Sequence, residues 1–189
     1  ESLDIDDYKT FDDLLEALPP YFAAYKPAVY SENPTPSKDV LHDESLRDQF
    51  LVVMLHTLLV KRLESSWTAF HSTLKKIFQV HSDVLGSVIN YKLNKEDISI
   101  GGGLDLQDEY EDEIDLPIGK REIRLSEIEA SGNLEYFEQH LQADVEALQS
   151  IIEKLDTYAD RIKKEEKRKS ADNKLERLLE LAEAQVKKT

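Results

Sequence analysis

The chain contains no cysteine among its 189 residues. Disulfides, thiolate zinc sites and a cysteine nucleophile are excluded, and a reducing compartment, the cytoplasm, is the natural setting. Glycine and proline are scarce, six of each, which is too few turn formers for a many-stranded sheet. Long apolar runs are missing too. The stretch from Phe50 to Val60 falls short of the about 18 residues that a membrane span needs, and it runs into Lys61 and Arg62. The opening Glu-Ser-Leu-Asp has neither an initiator Met nor a basic-then-apolar leader, so the chain reads as a segment excised from a larger protein. Basic charge is in deficit: 24 Lys and Arg stand against 39 Asp and Glu, for a net charge of −15. Such a surface repels phosphate backbones as a whole and leaves room only for a local basic face.

Catalytic patterns are lacking as well. A phosphate-cradling loop ends in Gly-Lys-Ser/Thr. Here Gly119-Lys120 is followed by Arg121 and has no glycine in place upstream. Asp108-Glu109-Tyr110-Glu111 has the look of an acidic helicase box, but it sits in a charge run without the apolar strand that would aim it at magnesium. The histidines His42, His56, His71, His81 and His140 show no metal-ligand spacing and read as satisfied or surface residues. Carboxylate pairs are so frequent that none is informative, and solvated helix faces account for them. The expectation is a chain with no catalytic residue, metal ligand, cofactor or small-molecule substrate of its own.

What the sequence does have is helical periodicity. Leu14, Leu15 and Leu18 predict a short helix ending before Pro19-Pro20, followed by an aromatic cluster from Tyr21 to Tyr30 and a loop through Pro34 and Pro36. Residues 1–40 form this acidic and aromatic lead-in. From about Asp43, apolar residues including Leu46, Phe50, Leu63, Trp67, Phe70, Leu74, Ile77 and Val88 recur at three- and four-residue steps. They predict one amphipathic helix over 41–93, or two nearly collinear ones broken near Ser65-Ser66, with Trp67 and Phe70 as core anchors. Residues 94–130 form an acidic, partly flexible insert around Gly101-Gly102-Gly103 and the run from Asp105 to Asp115. Within it, Ile98-Ser-Ile100, Ile114-Asp-Leu116 and Ile123-Arg-Leu125 alternate as pieces of a small hairpin would.

A second long helix is predicted over 131–169. Leu141, Val145, Leu148, Ile152, Leu155, Ala159 and Ile162 step by four and three, a heptad seam that wants a partner. The chain then restarts at Ser170-Ala-Asp172 as a further helix over 170–189. The fold class is all-α: an elongated antiparallel helical hairpin or small helical bundle, coiled-coil-like, in which Leu148 and Ile152 lie against Leu63 and Phe70. Before the restart, Arg161, Lys163, Lys164, Lys167, Arg168 and Lys169 form a basic run. Two readings stay open: a helix end whose cations suit the negative end of the macrodipole, or a contact with nucleic acid.

At Lys61-Arg62-Leu63-Glu64-Ser65-Ser66, followed by Phe70, the chain resembles the helical segment between the two motor lobes of bacterial Swi/Snf-type superfamily-two helicases. Leu141-Gln-Ala-Asp144 is similar to that family's second long helix, and Asp172-Asn-Lys174-Leu175 to the helix leading into the second lobe. The likeness covers residues 41–92 and 131–182. It implies a non-catalytic accessory segment of an ATP-dependent DNA helicase or translocase. ATP and magnesium would be handled by flanking motor lobes of the same polypeptide, and DNA would be a possible partner. For Lys61, Arg62 and Glu64 it implies docking on a lobe or on the nucleic-acid backbone; a plain ion pair on a solvated face fits the residues equally well. The competing class is a stand-alone coiled-coil interaction or scaffold protein.

Overall fold

The computed structural model describes residue 8 and residues 11–31, 41–100 and 122–186, with the backbone alone for residues 11, 41–48 and 166–186. The elements are α1 (Phe11–Glu16), a 3-10 turn (Ala23–Tyr25), α2 (Pro27–Ser31), α3 (Leu41–Ser65), α4 (Trp67–Asn94), β1 (Ser99–Ile100), β2 (Ile123–Arg124), α5 (Leu125–Ala130) and α6 (Leu134–Val186). Helix dominates, as the composition predicts. No helix among the described residues is long and apolar enough to cross a membrane. The alternating pieces on either side of the acidic insert do pair. β1 and β2 run antiparallel, with Ser99 opposite Arg124 and Ile100 opposite Ile123. Ile114–Leu116 and the run from Asp105 to Asp115 lie outside the described residues.

Ser66 breaks the first long element, and the two halves are not collinear. The ring of Phe22 touches both His56 (4.8 Å) and His81 (6.2 Å). A continuous helix would hold two residues that far apart in sequence roughly 37 Å from each other. The chain therefore reverses at Ser66, which is extended (φ −164°, ψ 125°) and caps α4 with its hydroxyl toward the Ala69 N–H. A serine suits this place because its oxygen replaces the partner that a first-turn N–H lacks.

α4 and α6 then run antiparallel. Lys92 pairs with Glu135 and Glu138 at one end, and Lys75 with Asp156 toward the other. Trp67, the first residue of α4, lies edge-on to Tyr158. Gly132, with φ of +79°, turns the chain from α5 into α6, a conformation that glycine adopts without a Cβ penalty. The predicted restart at Ser170 is not a break: α6 is a single helix of 53 residues. It contains no proline or glycine to stop it, and the basic run followed by Ser170-Ala-Asp172 is compatible with helix throughout. α6 thus continues past the start of α4 for about 40 Å of helical rise.

The core has two halves. At the Ser66 end, Leu14 and Leu18 pack with Leu55, Leu59, Leu63, Phe70, Leu74, Ile77, Leu148, Ile151, Ile152 and Leu155. Leu63, Phe70, Leu148 and Ile152 share this one cluster, as the seam requires. At the other end, Ala23, Ala28, Tyr30, Val88, Ile123, Leu125, Ile128, Leu134, Phe137 and Leu141 pack together. The aromatic segment after Pro20 contributes to both halves.

Candidate functional site

Two groups of polar residues stand out against this frame. The first is at the Ser66 end. Lys61 and Glu64 are exposed on the last turns of α3, Leu63 and Phe70 are buried, and Ser65 is exposed beside the capping Ser66. Arg161, Lys163 and Lys164 follow Tyr158 on α6, so they lie at the same end as Lys61 and Arg62. Arg161 sits over the Tyr158 ring at 6.0 Å, and Tyr158 in turn meets Trp67 at 79°. Lys163 and Lys164 are exposed, with Asp160 and Glu165 exposed among them. His71, also here, faces Asp156 and Lys75. Burial pushes its pKa below the usual value; Lys75 adds to this, and Asp156 opposes it. The side chains of Lys167, Arg168, Lys169, Asp172 and Lys174 lie outside the described residues.

The second group divides the two core halves, and sequence reading did not single it out. Asp144 is wholly buried. Its carboxylate accepts the backbone N–H of Tyr21 at 2.9 Å and of Ala23 at 2.7 Å. It therefore caps the 3-10 turn from a helix more than 120 residues away, a charge-assisted arrangement stronger than a neutral one. On α4, His81 is equally buried, with Nδ1 2.9 Å from the Ile77 carbonyl and Nε2 3.5 Å from the Asp144 carboxylate. The carbonyl has only lone pairs, so Nδ1 carries the ring proton. The other nitrogen then points at the carboxylate.

The aromatic segment is gripped along its length. The Tyr21 ring stacks on His140 with centroids 3.7 Å apart and planes 9° from parallel. The Tyr30 hydroxyl is 2.8 Å from His140 Nδ1, and the amide of Asn133 donates to the Tyr30 carbonyl at 3.0 Å. Phe22 is fully buried in the left-handed region (φ 49°, ψ 44°), a conformation that costs a non-glycine residue about 1–2 kcal/mol. The Tyr25 hydroxyl is buried with no hydrogen-bond partner among the described residues. Burial raises the pKa of the Tyr25 and Tyr30 phenols, with Asp144 adding to the effect at Tyr30. Burial lowers that of Lys26, against the pull of Asp144. It also lowers His56 and His140; at His140, Lys26 reinforces the shift and Asp144 opposes it.

A signal for this second group existed in the sequence. Phe137, Leu141, Asp144, Leu148, Ile151, Leu155 and Tyr158 step by four and three, as do Phe70, Leu74, Ile77, His81, Val84, Val88 and Tyr91. Asp144 and His81 occupy core positions of these two heptads. Counting apolar residues alone skips them and shifts the seam by one residue, to Val145 and Ile152. No group of His, Asp or Glu that could hold a metal ion occurs among the described residues. No family model, curated protein or solved structure matches the chain.

Proposed function

We propose that the chain is a non-catalytic helical accessory segment of a larger ATP-dependent DNA helicase or translocase, which positions the motor lobes or contacts nucleic acid. The observation that supports this most directly is the position of Lys61 and Arg62 at the same end of the bundle as Arg161, Lys163 and Lys164. Two basic groups a hundred residues apart in sequence thereby form one potential docking end, and α6 continues beyond it. ATP and magnesium belong, on this reading, to flanking motor lobes, and the setting is cytoplasmic. The alternative is a stand-alone coiled-coil scaffold, favoured by the length of α6 beyond α4; a chain that sediments as a stable dimer through that part of α6 would support it.

The test is equilibrium binding of the chain to duplex DNA across a salt series. Acidic residues interleave with the basic end, so binding is expected to be weak and confined to low salt. Replacing Lys61, Arg161, Lys163 and Lys164 with Gln should flatten the salt dependence by about one unit per lost phosphate contact. A slope unchanged by all four substitutions would remove the nucleic-acid part of the proposal.

A further inference from the structure

The aromatic segment, residues 21–31, is tied to the helices by polar groups that hold it under unusual conditions. Phe22 is kept in a left-handed kink, and Tyr25 buries a hydroxyl without a partner among the described residues. Both oppose docking. In return the segment gains the Asp144 cap, the stack on His140 and burial of Phe22 against His56 and His81. Three histidines from three helices (His56 on α3, His81 on α4, His140 on α6) therefore contact a stretch of eleven residues.

We propose that residues 21–31 are an acid-released latch, undocking as one unit from α3, α4 and α6 while the helical bundle stays folded. The groups facing each histidine decide the direction. His140 meets Tyr21, Tyr30 and Lys26 from the segment and Asp144 from its own helix. A doubly protonated His140 ring can only donate, so the Tyr30 phenol must turn from donor to acceptor to keep the contact. It also places a second positive charge beside Lys26. His56 faces the Phe22 ring, which desolvates it without offering a hydrogen-bond partner. Charging either ring is favoured once the segment lifts away and water reaches it.

His81 faces Asp144, Tyr25 and Phe22. The rings of Tyr21 and Phe22 lie against His140 and His56, and burial of the two imidazoles, which lowers their pKa values, sets the sign. The open form binds more protons, so closure is favoured above the usual histidine pKa and weakens as pH falls below about 6.5.

Amide hydrogen exchange, corrected for intrinsic rates, tests this on the chain at about pH 7 and about pH 5. The Tyr21 and Ala23 amides should lose about tenfold in protection for each unit by which the two histidines together are depressed. The amides of Leu148 and Ile77 should keep theirs. A His56→Gln, His140→Gln double variant should remove the pH dependence, and Asp144→Ala, which removes both acceptor oxygens, should expose the two amides already at neutral pH. Circular dichroism on each variant checks that the helices remain. Parallel loss at Ile77 and Leu148, or full protection of Tyr21 and Ala23 at the lower pH, would overturn the latch.

Discussion

Asp144 and His81 are the residues whose surroundings depart furthest from what their type suggests. A charged side chain at a heptad core position is expensive to bury unless hydrogen bonds replace its water, and the N–H groups of Tyr21 and Ala23 do that for Asp144. The apolar steps of α6 were legible in the sequence, but the centre of the seam was not, because the residue that marks it is an aspartate. That difference is measurable. Ile151 is fully buried and Val145 only partly. Ile151→Ala should cost about 2–5 kcal/mol in denaturant unfolding, and Val145→Ala less than half as much. Equal costs would return the seam to the apolar count. Leu148 and Phe70, which sequence and structure place alike, gain nothing from this correction.

Among the elements, the Ser66 reversal carries the most consequence, since it turns one predicted rod into two sides of a bundle. Periodicity continues through the break with hardly a change of phase, so the apolar pattern locates the break at Ser65-Ser66 without revealing its angle. The reversal is held by tertiary contacts: Leu55, Leu59 and Leu63 pack with Phe70, Leu74 and Ile77, and Phe22 lies between His56 and His81. The cap itself is modest, with Ser66 Oγ 3.5 Å from the Ala69 N–H. Ser66→Ala should therefore cost about 0.5–1 kcal/mol and leave the helix content unchanged; loss of helical signal would mean that the cap, not the packing, sets the turn. The β1–β2 pairing was legible from alternation at Ile98–Ile100 and Ile123–Leu125. The continuity of α6 was not, because a basic run followed by Ser-Ala-Asp carries the marks of a new helix start while remaining compatible with one already under way.

At the scale of the whole molecule, the helical class follows from the scarcity of glycine and proline and from the long heptads. The two halves of the core meet at Asp144 and His81, the buried polar residues that α6 and α4 place opposite each other. The proposed function rests only on the resemblance carried by Lys61 to Ser66 and on its order relative to Asp144 and Asp172. In the structure Lys61 and Arg62 share an end of the bundle with Arg161, Lys163 and Lys164. The central claim, that this chain is an accessory to a motor rather than a motor, meets its most direct test in nucleotide hydrolysis. Purified chain, incubated with ATP and magnesium with and without duplex DNA, should release no phosphate above the uncatalysed background, because its sequence lacks the loop and lysine that hold phosphates. DNA-stimulated turnover that copurifies with the chain would contradict the account.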